Sequence, residues 1–231
     1  MNKIHSVCCA LLFALCAPCA AHAESADMVR EQCAGCHSIE KPDYAAAGVI
    51  ERGARKAPPL HYAGNKFRAE WLEEWLQEPE RIRPAGVVPA AHVKPSADGD
   101  LIDPASFTEH PALSADDAKS VTQFLMTLRP FDERIAAQTY QPGAIALRMG
   151  QMNFGKFKGC NGCHRDAPAE GGVSGPELYT AWKRLQPAFM ASVIADPLAW
   201  DAHTIMPSAG LNDNEVHKLV NYLKALQEPQ P

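Results

Sequence analysis

The chain has 231 residues, of which 46% are hydrophobic and 21% charged, and a net charge of −5 at pH 7. This composition is typical of a globular protein, and the length predicts one or two domains. The acidic balance lacks the basic surplus of nucleic-acid-binding proteins, so we expect no nucleic-acid partner. Eight cysteines would suggest disulfides in an exported protein, and their positions therefore decide the class.

The first 23 residues predict a cleaved signal peptide. They combine Lys3, an apolar run from Ser6 to Ala17 and the small-x-small end Ala21-His22-Ala23. The run is short for a membrane span, which makes a retained anchor the less favoured alternative, and no transmembrane segment is expected in the mature chain. We expect cleavage after Ala23 and a periplasmic protein. Cleavage would remove four cysteines: Cys8, Cys9, Cys16 and Cys19.

A cysteine motif follows this leader. Cys33-Ala-Gly-Cys36-His37 has the C-x-x-C-H pattern that attaches a c-type haem. Two thiols three residues apart on a helical turn can reach the two vinyl groups at one edge of a porphyrin. The adjacent imidazole can then bind the iron from the proximal side. We therefore predict that Cys33 and Cys36 form thioethers and that His37 is an iron ligand.

Apolar periodicity predicts helices in the rest of the first half. A middle helix carries Trp71 and Trp75 on one face and stops before Pro79. The last helix of this half starts at the cap Ser114 and continues with apolar residues at helical spacing. The aromatic side chains are interpreted as ordinary core, walling a cofactor pocket. Residues 131–141 are predicted to be a linker.

A second motif of the same kind, Cys160-Asn-Gly-Cys163-His164, follows the linker. One zinc site built from both pairs is the alternative, but zinc-binding pairs are usually about 15–20 residues apart. A redox dithiol would require a strand-then-helix context that the pattern does not show. We predict two covalently bound haem c groups, with thioethers at Cys160 and Cys163 and His164 as an iron ligand. No disulfide and no free thiol would then remain.

The two halves are also repeats of each other. Pro58, Leu60 and Pro79 recur 118 residues later, and the caps Ser114 and Asn212 are 98 residues apart. The difference places an insertion at about 90–113 of the first half. Such self-similarity indicates a duplicated domain. We predict an all-α fold with one domain over 24–130 and another over 142–231, each around one covalent haem.

With these features the chain resembles the dihaem class I c-type cytochromes, which have two tandem helical domains. It is similar in plan to soluble dihaem carriers and to the cytochrome subunit of flavocytochrome c sulfide dehydrogenases. The resemblance covers nearly the whole mature chain. It rests on the two C-x-x-C-H motifs, the Gly175-Pro176-x-Leu178 loop, the Met206-Pro207 pair and the final helix of each half.

The resemblance implies that Met206 is the distal ligand of the second haem. The equivalent position of the first half is Val88, which cannot bind iron. Two nearby histidines are the candidates there: His92 is preferred, and His110 in the insertion is the alternative. An open or water-bound iron is a third possibility. A thioether ligand favours ferrous iron, so the second haem is expected to have the higher potential and a bis-histidine first haem the lower one.

Two unequal haems predict an electron-transfer protein rather than an enzyme. It would take electrons from a periplasmic dehydrogenase or other donor and pass them to an acceptor, and its acidic charge suggests a redox partner with a basic docking patch. A dihaem enzyme, such as a peroxidase or a sulfur- or nitrogen-oxyanion oxidoreductase, is the alternative if the first iron is open. A sensor is least favoured because no output domain is present.

Overall fold

The computed structural model describes residues 17–97 and 99–227, so residues 1–16 of the predicted leader lie outside it. Within these residues the chain forms ten short α-helices and two two-stranded antiparallel sheets. The helices are α1 Ala17–Gln32, α2 Val49–Gly53, α3 Ala63–Lys66, α4 Ala69–Gln77, α5 Ala115–Thr127, α6 Asp132–Ala136, α7 Leu147–Gln151, α8 Ala181–Arg184, α9 Pro187–Ala195 and α10 Asp213–Ala225. The strands are β1 Val93–Ser96, β2 Gly99–Ile102, β3 Arg165–Ala167 and β4 Glu170–Gly171.

The prediction of an all-α fold is therefore wrong, because the molecule is mixed. The insertion folds into the hairpin β1–β2, in which Ser96 pairs with Gly99, and Gly99 has a φ of +110° that glycine adopts without strain. The second hairpin, β3–β4, directly follows the second cysteine motif and carries a register irregularity. Much of the remaining chain forms loops between helices of only four or five residues.

The repeat is visible in the helices of the described residues. Helices α3 and α8 have the same length and start 118 residues apart, and so do α4 and α9. Helices α5 and α10 both have 13 residues and start 98 residues apart. The predicted caps are present: the side chains of Ser114 and Asn212 each accept a hydrogen bond from the backbone three residues ahead.

In each half the last helix packs against the helix that leads into a cysteine motif. Helix α5 contacts α1 through small and β-branched side chains that include Val29, Ala118 and Val121, all buried. Helix α10 contacts α7, where Gly150 permits a closer approach: a Cβ there would lie 2.2 Å from Cδ2 of Tyr222. The Tyr222 hydroxyl donates a hydrogen bond to Asp166. These two helix–helix contacts hold the chain just before each cysteine motif against the core.

The two halves share one continuous hydrophobic core. Tyr62 of the first half lies against Phe189 and Trp200 of the second, with ring centroids 6.3 Å and 5.4 Å away. Part of the predicted linker belongs to this core, because the ring of Phe131 lies 4.8 Å from Trp200 and the residues that follow form α6. Burial of these rings stabilises the contact between the halves.

A reciprocal set of hydrogen bonds also joins the halves. Phe67 pairs with Leu185, 118 residues further on, as an isolated antiparallel bridge. The backbone N–H of Arg68 donates to Arg184, and the N–H of Gln186 donates to Lys66, which are equivalent bonds in the repeat. A residue in one half therefore bonds to the neighbour of its equivalent in the other half, and the reverse bond is also made. We call this set the central clasp.

The clasp includes two side chains in equivalent positions. Arg68 Nε donates to the carbonyls of Trp182 and Leu185, both at 3.1 Å. Gln186 Nε2 donates to the carbonyls of Gly64 and Phe67, both at 2.8 Å. Two different residue types therefore satisfy corresponding carbonyls on the two sides of the clasp.

Within residues 17–97 and 99–227 no helix is long and apolar enough to cross a bilayer.

Candidate haem sites

The first cysteine motif forms a single helical turn. The backbone N–H groups of Cys36 and His37 both donate to the carbonyl of Cys33, at 3.1 Å and 2.9 Å. The His37 ring is fixed by a hydrogen bond from Nδ1 to the carbonyl of Pro58, at 2.7 Å. Because a carbonyl can only accept, Nδ1 carries the proton and the lone pair of Nε2 is left for a metal.

The second motif is built in the same way. The N–H groups of Cys163 and His164 donate to the carbonyl of Cys160, and His164 Nδ1 donates to the carbonyl of Pro176 at 2.8 Å. Pro176 lies 118 residues after Pro58, so the repeat supplies the same acceptor to both histidines. Gly175 closes the ring from one side, since a Cβ there would lie 2.5 Å from His164 Cε1.

Both proximal histidines are held in the form that binds metals. Burial lowers the pKa of His37 and of His164, and the positive charges of Arg83 and Arg184 lower the pKa of His164 further. The imidazoles are therefore neutral near pH 7, as an axial iron ligand must be. Burial also raises the pKa of Cys33 and of Cys160, which keeps these two thiols protonated.

The ring that faces His37 is that of His110. The two ring centroids are 6.3 Å apart with an interplanar angle of 68°. His110 Nδ1 donates to the carbonyl of Pro111 at 2.9 Å, so its Nε2 is also free, and the ring packs edge-on against Trp75 at 4.7 Å. When two imidazoles bind one metal atom from opposite sides, each metal–nitrogen bond is about 2 Å long. With the distance from nitrogen to ring centre added on each side, the two ring centroids are then roughly 6 Å apart. The centroid separation of 6.3 Å is long enough for one metal atom between the two rings.

His92, the preferred candidate from the sequence, lies elsewhere. Its ring stacks on Phe107 at 4.1 Å, and Nδ1 is hydrogen bonded to the hydroxyl of Ser106 at 2.9 Å. The edge that carries Nε2 is covered by Gly86, because a Cβ on that residue would lie 2.8 Å from Nε2. Arg81 covers the Phe107 ring from 3.5 Å. These contacts tie His92 into the insertion and favour His110 as the partner of His37.

Met206 lies on the loop that leads to α10 and is partly buried. Its backbone N–H is bonded to Thr204 Oγ1 at 3.2 Å, and Thr204 in turn bonds to the carbonyl of Asp201. The equivalent residue in the first half, Val88, precedes a short 3-10 turn over Pro89–Ala91. Ligation of the second iron by Met206 stays a prediction.

A group of cations lies between the two motifs. Arg184 is buried with Glu177, 3.5 Å away, while Arg55 and Asp201 form a pair at 2.6 Å across the two halves. For Lys66 and Arg83 no ion pair is found in the described part of the chain. Burial lowers the pKa of Lys66 to about 7, and the charges of Arg83 and Arg184 contribute to that shift. Four cations thus share two carboxylates.

The residues present fit a covalently bound haem in each half. Two thiols and a tautomer-fixed imidazole occur in each motif, and in the first half a second imidazole faces the proximal one. The four motif cysteines, Cys33, Cys36, Cys160 and Cys163, form no disulfide, as thioether formation requires. Unpaired anions of a cofactor would complement the surplus cations. A haem supplies an iron that takes two axial protein ligands and changes its charge by one electron.

Within residues 17–97 and 99–227 no group of three or more His, Cys, Asp or Glu side chains could hold a bare metal ion. The two cysteine pairs are not brought together into such a group. The sequence analysis did not identify the carbonyls of Pro58 and Pro176 as the acceptors, although their matched position in the repeat was a usable signal. It also did not identify Lys66 and Arg184, which no local pattern marks.

Comparison of the chain with protein-family models, curated proteins and solved structures gave no match.

Proposed function

We propose that this protein is a dihaem c-type electron-transfer protein of the periplasm. The observation that carries the proposal is the pair of C-x-x-C-H turns, each of which presents a histidine whose Nδ1 is fixed by a proline carbonyl. A prosthetic iron of this kind supplies one-electron chemistry, and the protein sets its ligands, exposure and surrounding charge.

In the proposal the first site has two imidazole ligands, His37 and His110, and the second has His164 and Met206. The facing rings of the first site and the cover over His92 favour this choice. Imidazole is the stronger donor to ferric iron, so the first site has the lower potential and the second the higher one. Electrons would pass from a periplasmic dehydrogenase or another donor, through the first site to the second, and then to an acceptor.

Fixed ligands on both sides of the iron also favour transfer over catalysis. A bound substrate would have to displace His110, which Trp75 and the Pro111 carbonyl hold in place. The chain's net charge of −5 favours a partner with a basic docking surface.

The test is covalent haem content in protein exported to the periplasm of a haem-attaching host. Mass spectrometry and the pyridine haemochrome assay should give two haems per chain. The double variants C33A/C36A and C160A/C163A should each retain one, and each serves as the matched control for the other. The proposal would be rejected if the wild-type protein carried no haem while a control cytochrome received its haem in the same host. Rapid binding of carbon monoxide to the resting reduced protein would favour the enzyme alternative.

A further inference from the structure

A short segment of the first half is fastened to the second half's site. The carbonyl of Ile82 accepts a hydrogen bond from the N–H of Glu177 at 2.8 Å, and the N–H of Ala85 donates to the carbonyl of Val173 at 3.1 Å. Arg83 lies between these two anchored residues. Its backbone position is therefore set by the second half, although it belongs to the first.

The loop that receives these bonds is the loop that holds His164. Residues 173–177 include Pro176, whose carbonyl accepts from His164 Nδ1, and Gly175, which lies against the imidazole ring. The positive charge of Arg83 lowers the pKa of His164, whereas Arg83 is not among the charges that act on the pKa of His37. The contact crosses from one half to the other.

The repeat shows that this contact has lost its ionic partner. In the repeat, Arg83 is equivalent to Asp201, and Val173 is equivalent to Arg55. On one side of the molecule Asp201 pairs with Arg55 at 2.6 Å. On the other side the same two positions hold Arg83 and Val173, so a guanidinium replaces the acid and a valine replaces the base. The Asp201 carboxylate already receives the Arg55 guanidinium and the N–H of His203.

We propose that Arg83, contributed by the first half, binds a carboxylate of the haem held by the second half. The inference rests on the proposed function, because a c-type haem is the source of that carboxylate. A guanidinium is suited to the task since its planar fork matches a carboxylate and it stays protonated. Arg83 is partly exposed.

The crossed contact also separates the two haem potentials. Reduction lowers the positive charge of a haem by one, so a nearby cation favours the reduced form and raises the potential, whereas a nearby anion lowers it. At equivalent positions the second half's site receives the cation Arg83, whereas the first half receives Asp201, whose charge is balanced by Arg55. Arg83 therefore acts in the same direction as the ligands and raises the potential of the second haem.

The test compares R83Q, R83K and the neighbouring control R81Q in the haem-loaded protein. Spectroelectrochemical titration should show that R83Q lowers the midpoint potential of the second haem more than that of the first. R83K should keep most of the wild-type value, and R81Q should change neither haem. Resonance Raman spectra should show a shifted propionate-bending band in R83Q alone, because the carboxylate loses its guanidinium.

Equal shifts of both haems, or an unmoved second haem, would overturn this inference. Haem content measured on the same samples distinguishes a failure of the proposed function from a failure of the role of Arg83. A wild type without haem rejects the proposed function, whereas two haems with unchanged potentials in R83Q reject only the role of Arg83.

Discussion

The two halves of the molecule are alike where the motif histidines are held and unlike in the residues at the positions proposed for the second ligand. Both His37 and His164 donate Nδ1 to a proline carbonyl at equivalent positions, and both motifs close with the same backbone bonds. Opposite His37, the first half places His110 from an insertion that the second half lacks, and it has Val88 where the second half has Met206. The repeat therefore keeps the same hold on the motif histidine in both halves, while the residues at the other proposed ligand positions differ.

Under the proposed function, the largest expected effect comes from removing His110, the proposed second imidazole ligand of the first site. H110Q should convert the first haem from low-spin to high-spin almost completely, because glutamine is a poor ligand and no other free imidazole faces His37 in the described residues. Electron paramagnetic resonance and visible absorption measure the spin state. H92Q is the matched control and should remain low-spin. The reverse outcome would assign the ligand to His92 and break the proposed contrast between the two histidines.

The second effect concerns how the terminal helices cross. G150A should destabilise the second half by about 1–3 kcal/mol, because a Cβ would lie 2.2 Å from the Tyr222 ring and force the helices apart. Thermal unfolding followed by circular dichroism should show a lower Tm. G53A is the control, since a Cβ at Gly53 meets nothing within 4 Å, and it should stay within about 0.5 kcal/mol of wild type. Equal stability of both variants would contradict the crossing.

The third effect tests whether the central clasp is energetically uneven. R68A removes a charged donor from two carbonyls and should cost about 2 kcal/mol, whereas Q186A removes a neutral donor and should cost about 1 kcal/mol. Urea unfolding of the variants measures both free energies. K119A, an exposed lysine on α5, is the control and should be neutral. A larger loss for Q186A would show that charge does not set the difference.

These variants bear on what the sequence could and could not predict. Helices α5 and α10 were predictable because their caps and apolar spacing are local signals. The hairpin β1–β2 was missed although Asp98-Gly99 is a turn signal, since helical periodicity elsewhere dominated the interpretation. The preference for His92 followed sequence proximity to Val88. Only the folded insertion brings His110 back against Trp75, and no local pattern encodes that return.

The smallest effect is a dependence of stability on pH that only the first half should show. His61 is 5% exposed, both its ring nitrogens lack partners within the described residues, and the equivalent position holds Tyr179. Burial lowers the pKa of His61 to about 4. A depressed histidine pKa stabilises the fold fully above the unfolded value of about 6.5, and this contribution is lost as pH falls toward 4.

Urea unfolding of wild type and H61L between pH 4 and pH 7 measures this contribution. The free energy of unfolding of H61L should fall less steeply with acidification, while the titration of carboxylates remains common to both proteins. Identical slopes would show that His61 is solvated in the folded protein. The difference is expected to be modest because His61 borders an open groove that is also lined by Lys41 and Arg129.

The central clasp has a further consequence for how such a chain can evolve. Contacts in which each residue meets its counterpart's neighbours are isologous, the geometry by which two identical chains form a dimer. Joined in one polypeptide, the two copies meet at an effective concentration fixed by the connecting segment, so their association no longer varies with the amount of protein. Each copy can then mutate alone. Equivalent positions now hold different residues, as in Arg68 with Gln186 and Arg83 with Asp201. In a dimer of identical chains a substitution would appear on both sides at once.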